Sequence, residues 1–182
     1  MNQAIKTLTY WRVTISLITV MFASPAIAIQ VCKASITPSA PDNRYEVHTD
    51  GTVSDLRTGL MWQQCPVGQS GADCATGTAQ VFSWDLALQY LAASNAAGGM
   101  ANHSDWRLPN IKELQSLIEV SCYDPAINLN IFPNEPGLYH WSSTPKEDAF
   151  GGDAFALTFF NGVPFAFIRG SNRPIRLVRD IP

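Results

Sequence analysis

The chain has few charged residues and no excess of basic ones. Only 15% of its 182 residues are charged, and 12 Lys and Arg are outnumbered by 15 Asp and Glu, which gives a formal net charge of −3. Proteins that bind nucleic acid normally carry a strong basic excess, so we expect no nucleic-acid partner. The hydrophobic fraction of 46% is too high for a disordered chain. The length fits about one domain.

Motifs typical of catalysis and of metal binding are missing. The sequence has no Gly-x-Ser-x-Gly elbow, no phosphate-binding glycine loop and no Cys-x-x-Cys pair. His140 and Ser142 share one face of a predicted strand, but about 7 Å of backbone separates them and no orienting acid is evident. We therefore expect a protein that is not an enzyme and has no cofactor, with a hydrolase as a minor alternative.

The amino terminus has the composition of an export signal. Residues 1–28 contain Lys6 and Arg12 but no acid, then an apolar run, then small residues that end at Ala28. This order is typical of a secretory signal peptide cleaved after Ala28. The apolar run is shorter than the roughly 20 residues of a membrane span, so we expect no membrane span after cleavage. The mature protein would be periplasmic, attached to the cell surface or secreted.

All four cysteines follow the predicted cleavage point. An even number in an exported chain predicts two disulfides, for which three pairings exist. Cys65 and Cys74 bracket a stretch rich in Gly, Ser and Asp that has little reason to be ordered by itself. A disulfide between them would fix this loop, and it would leave Cys32 to join Cys122.

The residue pattern predicts one α+β domain over residues 45–182, preceded by an extended lead-in at 29–44. Alternation at 45–49 and a return at 52–55, joined by an Asp-Gly turn signal, predict a β-hairpin. A buried strand is predicted at residues 60–63.

Two amphipathic helices are predicted in the middle of the chain. The first begins at Trp84 after a Ser83 cap and stops at Gly98; the second begins after an Asn110 cap and ends near Cys122. The side chains predicted to face the core recur at three- and four-residue spacing: Trp84, Ala87, Leu88 and Leu91, then Ile111, Leu114, Leu117 and Ile118.

The last third of the chain reads as strands, predicted at 139–143, 154–160, 163–168 and 175–179. Asn161-Gly162 predicts a two-residue turn that pairs Phe160 with Val163 and Leu157 with Ala166. Both faces of this hairpin are apolar. The favoured interpretation is burial on both sides, and the alternative is an exposed aromatic patch that binds a partner.

Several short segments occur in a recognisable order: Asp50–Asp55, Thr58–Trp62, Trp84, Asp105–Asn110 with Glu113-Leu114, Trp141–Ser143 and Arg176–Arg179. The chain thereby resembles the Lcl C-terminal domain family, named after the Legionella collagen-like protein. The resemblance implies an exported bacterial domain with a C-type-lectin-like fold, a twisted antiparallel sheet with two helices. The founding member looks like an adhesin for sulfated polysaccharide. This chain lacks collagen-like repeats and is acidic, so neither the stalk nor the polyanion ligand is carried over.

The residues of these motifs are predicted to be structural: Asp55, Trp62, Trp84, Trp106, Arg107, Pro109, Glu113 and Trp141. Arg107 can pair with Asp55 or Glu113 through its planar guanidinium, and a buried tryptophan needs an internal acceptor for its indole N–H.

Ligand-binding candidates come from the one basic concentration in the chain, namely Arg169, Arg173 and Arg176, followed by Arg179. Four acidic residues could hold calcium, as in some lectin-like domains: Asp124, Glu147, Asp148 and Asp153. Our leading hypothesis is an exported, non-catalytic binding domain for a saccharide or another envelope or extracellular component, as in adhesion. The alternative is a structural or assembly module that binds a partner protein through the Phe-rich hairpin. No sequence feature indicates an oligomeric state.

Overall fold

A computed structural model describes residues 30–147 and 152–181, so the predicted signal peptide at 1–28 lies outside the described residues. The elements are, in chain order, β1 (Val31–Cys32), a 3-10 turn (Asp42–Arg44), β2 (Tyr45–Val47), β3 (Thr52–Asp55), β4 (Leu60–Gln63), β5 (Gln69–Ser70), β6 (Thr76–Gly77), β7 (Val81–Phe82), α1 (Trp84–Ala96), α2 (Ile111–Ser116), β8 (Cys122–Tyr123), β9 (Tyr139–Lys146), β10 (Asp153–Thr158), β11 (Pro164–Ile168), β12 (Arg173–Pro174) and β13 (Val178–Asp180).

Two antiparallel sheets organise these elements. The larger has the strand order β13-β4-β3-β2, and the second has the order β11-β10-β9. The described residues also form three two-stranded sheets: β1-β8, β12-β7 and β5-β6. The predicted α+β class, with antiparallel sheets and two helices, is confirmed. The likeness to C-type lectins stays a prediction of the resemblance.

The first hairpin forms as predicted. Tyr45 pairs with Asp55 and Val47 with Val53. Gly51 stands in the turn with a φ of 84°, a left-handed conformation that favours glycine. Thr52 donates its backbone N–H to the Asp50 carboxylate at 3.1 Å, which fixes the turn locally.

Helix α1 begins and ends where the sequence predicts. The Ser83 hydroxyl accepts a hydrogen bond from the Leu86 N–H, which satisfies one free donor of the first turn. Ala87 and Leu91 are buried, whereas Leu88 is 38% exposed. The core-facing stripe is therefore narrower than predicted.

Helix α2 starts with the predicted capping box between Asn110 and Glu113 but ends at Ser116. The predicted end near Cys122 is wrong. The chain turns after the helix because the buried Glu119 carboxylate accepts backbone N–H bonds from Ser39, Ala40 and Ser121. These bonds hold residues after the helix against the lead-in instead of continuing the helix.

The predicted two-residue turn of the Phe-rich hairpin is wrong. Leu157 pairs with Pro164 rather than Ala166, so the register is shifted by two residues and four residues form the turn. The shift occurs because Phe159 leaves the strand and is fully buried; its N–H donates to Leu138 and its carbonyl accepts from Ala126. A shift of two keeps each side chain on its predicted face.

Burial on both sides of this hairpin, the favoured expectation, is also wrong for its second strand. The inner strand β10 is mostly buried, but β11 lies at the edge of its sheet. Phe165 is 55% exposed and Ile168 is 67% exposed. The alternative interpretation, an exposed apolar surface, fits this strand.

The predicted start of the final strand, 175–179, is wrong, because the last strand begins at Val178 and a separate short strand precedes residue 175. Arg173 and Pro174 pair with β7, whereas Val178 pairs with Trp62 of β4. The chain between them turns Ile175 and Arg176 into the interior, where both are fully buried.

Both predicted disulfides form, Cys32–Cys122 and Cys65–Cys74. The first ties the lead-in to β8, and the second closes the loop that includes β5. Disulfides are typical of proteins in oxidising compartments. In the part of the chain that the structure describes, no helix is long and apolar enough to cross a membrane.

Removing each disulfide tests what it stabilises. The sequence separation is 90 for Cys32–Cys122 and 9 for Cys65–Cys74. A longer closed loop constrains the unfolded chain more, so we expect a double Cys→Ser change to cost about 4.5 kcal/mol at the first pair and about 3 kcal/mol at the second. Urea unfolding of both variants measures this, and a larger loss at Cys65–Cys74 would contradict it.

Candidate functional site

The four arginines of the predicted basic concentration do not gather at one surface. Arg176 is fully buried and Arg179 is 6% exposed, paired with Asp105 at 2.8 Å. Arg169 stacks on Trp84, with its guanidinium carbon 4.4 Å from the ring centroid. Only Arg173 lines a cleft together with other polar side chains.

Arg176 joins separate parts of the fold in the interior. Its guanidinium donates to the carbonyl oxygen of Gln63 at 2.7 Å and to that of Gln64, and it forms an ion pair with the buried Glu135. It also lies 4.9 Å from the ring centroid of Phe132. These contacts give Arg176 a structural place, and a ligand in solvent does not reach it.

His140 belongs to the same buried cluster. Its Nε2 lies 3.2 Å from the Glu135 carboxylate, and its ring packs against Phe159. Burial lowers the pKa of His140, and the nearby Arg176 lowers it further, while Glu135 opposes them. Ser142 donates its hydroxyl to the Phe155 carbonyl at 2.6 Å and is buried. The two side chains considered for a hydrolase are therefore both held inside the protein.

The Arg107 side chain pairs with acids on two elements of the fold. Its guanidinium donates twice to Glu113, at 2.8 Å for each bond, and once to Asp180 at 2.9 Å. Through Glu113 and Asp180, Arg107 links α2 to the last strand. Pro109 is buried directly before the helix.

Asp55 has a partner that the sequence analysis missed. It forms a buried ion pair with Arg44, and Thr58 donates to its carboxylate at 2.7 Å. Burial alone would raise the pKa of Asp55, but the hydrogen bonds from Arg44 and Thr58 hold it below its usual value. The observed pairing of Tyr45 with Asp55 places Arg44 next to that carboxylate.

The four motif tryptophans are buried or partly buried. The indole N–H groups of Trp84, Trp106 and Trp141 donate to backbone carbonyls at 2.8, 2.9 and 2.9 Å. Trp62 is fully buried in the core. Its indole N–H has no partner among the described residues.

A cleft of about 410 Å³ lies where β9 begins, beside the turn of the Phe-rich hairpin and the start of β12. It brings together aromatic, amide and guanidinium side chains. Those that matter for recognition are Tyr139, Phe160, Asn161, Asn172 and Arg173. The sequence analysis identified only Arg173, because the others come together through the shifted hairpin register and the β12–β7 pairing.

Arg173 is held by aromatic rings rather than by an acid. Its guanidinium carbon lies 3.3 Å from the ring centroid of Phe167 and 5.5 Å from those of Tyr139 and Trp141. No described carboxylate forms a salt bridge with it, and its Nε has no hydrogen-bond partner among those residues. Burial lowers its pKa. The cleft thus has a positioned guanidinium that no described carboxylate pairs.

A second cleft, of about 530 Å³, lies beside the Cys65–Cys74 loop. No Phe, Tyr or Trp side chain lines it, and several of its polar groups bond within the protein, although the side-chain oxygens of Gln63 and Gln69 have no partner among the described residues. Asp50 accepts from Thr52, His48 bonds to Ser54 at 2.8 Å, and Gln69 donates to the Cys74 carbonyl. The first cleft is the better candidate for ligand binding.

The calcium candidates do not form a site within the described residues. No group of three or more His, Cys, Asp or Glu side chains comes together there. Asp153 pairs with Lys146 at 3.6 Å. Asp148, one of the candidates, lies outside the described residues.

The fold is that of a small α+β domain with two disulfides. A model of the Lcl C-terminal domain family matches residues 51–179. The chain belongs to this family, and the resemblance predicted from its motifs is confirmed. The family suggests a binding or adhesion-type domain. No curated protein matches the chain.

The ion pair of Arg176 is expected to dominate the stability of the interior. Glu135→Gln removes the carboxylate and leaves a buried guanidinium without its counter-charge, which we expect to cost about 3 kcal/mol or more. Glu113→Gln is the matched control, because it breaks a more exposed pair, retains a side chain suited to the capping box and is expected to cost about 1 kcal/mol or less. Urea unfolding measures both, and equal losses would contradict this assignment.

His140 is expected to make the protein less stable in mild acid. The unfolded chain takes up a proton at this residue below about pH 6.5, whereas the folded chain resists it, so unfolding is favoured by up to about 1.4 kcal/mol per pH unit in that range. His140→Gln should reduce the slope of unfolding free energy against pH between about 6.5 and 5. Parallel slopes for the two proteins would count against this role.

Proposed function

We propose that this protein is an exported, non-catalytic binding domain that holds a saccharide in the cleft beside the Phe-rich hairpin. The observation that carries the proposal is the composition of the cleft. Tyr139 and Phe160 supply aromatic surface, Asn161 and Asn172 supply amides, and Arg173 supplies a guanidinium.

These groups suit the chemistry of a sugar. A pyranose has an apolar C–H face that packs on an aromatic ring, and its rim of hydroxyl groups both donates and accepts hydrogen bonds. Amide side chains offer both functions, and a guanidinium offers several donors in a fixed plane. A mostly apolar cleft with a few placed polar groups is typical of small-ligand sites.

The proposal includes that the protein has no catalytic activity. Its support is that His140 and Ser142 are buried and already bonded within the protein. Export is supported by the signal-like residues 1–28 and by the two disulfides. We place the protein in the bacterial envelope or outside the cell.

A glycan-array screen of the oxidised protein, with calcium and with chelator, tests the proposal. We expect binding to a defined set of glycans. Arg173→Gln should weaken it about 10-fold or more, because a hydrogen bond from a charged group is worth about 1.5–3 kcal/mol. Asn172→Ala should weaken it about 2- to 10-fold, because a neutral bond is worth less.

Asn43→Ala is the matched control, since Asn43 is exposed and does not line the cleft. Binding should persist in this variant. Folded protein that binds no glycan, or binding that all three variants retain, would refute the saccharide proposal. Loss of binding in chelator would point to calcium.

The second candidate function is protein binding through the Phe-rich hairpin. The observation in its favour is the run of exposed apolar side chains along the turn and β11: Phe160, Val163, Phe165 and Ile168. Monomeric proteins seldom leave a contiguous apolar surface uncovered unless it is used.

A further inference from the structure

The edge strand β11 has backbone groups that no described residue satisfies. It pairs on one side with β10, and its other side is free. Thr158 donates to Val163, and Arg169 donates to Gly152. Since hydrogen-bonding direction alternates along a strand, Phe165 and Phe167 face β10 with their backbone groups, and Pro164, Ala166 and Ile168 face outward.

The outward-facing backbone of β11 offers few hydrogen-bonding groups. Ala166 offers an N–H and a carbonyl, Ile168 offers an N–H, and Pro164 offers only a carbonyl. The Ile168 carbonyl is already used, because it accepts the N–H of Ser171 at 2.9 Å. Four groups remain, two donors and two acceptors.

We infer that β11 pairs antiparallel with β11 of a second copy of this chain, about a two-fold axis at Ala166. In this register Ala166 lies opposite Ala166 of the other copy, and they exchange two hydrogen bonds. Each Ile168 N–H meets a Pro164 carbonyl, which adds two more. Pro164 has no N–H to donate to the Ile168 carbonyl opposite it. That carbonyl already accepts the N–H of Ser171, so no outward-facing backbone group is left without a partner.

The side chains are complementary in the same register. Phe165 lies directly opposite Phe167 of the second copy, and Pro164 lies opposite Ile168. Within one chain the rings of Phe165 and Phe167 are 4.8 Å apart, so pairing continues an aromatic row across the two strands. Cross-strand aromatic pairs stabilise a sheet. No charged residue of β11 opposes another, because this strand contains none.

A proline on an edge strand commonly protects it from pairing. Here Pro164 restricts the register rather than preventing association. A two-fold axis at Pro164 allows no hydrogen bond between the two prolines. An axis at Ile168 opposes two carbonyls that are already occupied. Of these three axes, only the one at Ala166 leaves no backbone group without a hydrogen-bond partner. A buried group without a partner costs free energy.

This inference rests on the second candidate function, for which it names the partner, and is independent of the cleft. The interface joins two three-stranded sheets into one of six strands. Two copies related by a two-fold axis are the commonest arrangement of soluble oligomers.

Sedimentation velocity of the oxidised protein over a range of concentrations tests the inference. We expect a reversible dimer. Ala166→Pro removes the two central donors without touching the bonds to β10, so it should raise the dimer dissociation constant about 10-fold or more. Leu56→Lys is the control, since Leu56 is an exposed apolar side chain outside the hairpin, and it should leave the dimer unchanged.

A cysteine test fixes the register even if Ala166→Pro fails to fold. Directly opposed residues in a hydrogen-bonded pair have Cα atoms about 5.5 Å apart, within reach of a disulfide. Ala166→Cys should therefore cross-link to itself on mild oxidation, whereas Leu56→Cys should not. A wild-type protein that stays monomeric, or Ala166→Cys protein that does not cross-link, would overturn the inference. Glycan binding by monomeric Ala166→Pro protein separates this result from the cleft proposal.

Discussion

The fold depends on one buried ion pair, between Arg176 and Glu135. The Arg176 side chain lies fully inside the protein, and such a charge is tolerated only when it is paired and its donors are satisfied. Its guanidinium reaches the carbonyls at the end of β4 as well as Glu135. Its chain neighbour Ile175 belongs to the hydrophobic cluster around Trp141, while Val178 belongs to the cluster around Trp62. The ion pair thus joins the two halves of the core.

The candidate cleft follows from the same arrangement. Arg176 divides the last segment into β12 and β13, and β12 carries Arg173 to the start of β9. Arg173 then stacks on Phe167 and Tyr139 rather than on an acid. The proposed ligand site uses the Arg173 guanidinium, which no described carboxylate pairs, and the proposed self-association uses the edge strand β11, where Phe165 and Ile168 are exposed.

Sequence reasoning succeeded where the signal is local. The hairpin at 45–55, the Ser83 and Asn110 caps and the closure of the Cys65–Cys74 loop each depend on residues close in the chain. It failed where a distant contact decided the outcome. Helix α2 stops early because Glu119 holds the lead-in, and the Phe-rich hairpin shifts because Phe159 is drawn into the core. Propensity is a weak guide when such contacts compete with it.

The sequence by itself determined the family, the α+β class and the two disulfide pairs. These follow from spacing, caps and residue chemistry. Only the tertiary structure decided which arginines meet a carboxylate. Arg169, Arg173, Arg176 and Arg179 look alike along the chain, but Arg176 meets Glu135 41 residues away and Arg179 meets Asp105 74 residues away. Charges that distant in sequence are brought together by packing alone, so the partner of each arginine is a property of the folded molecule.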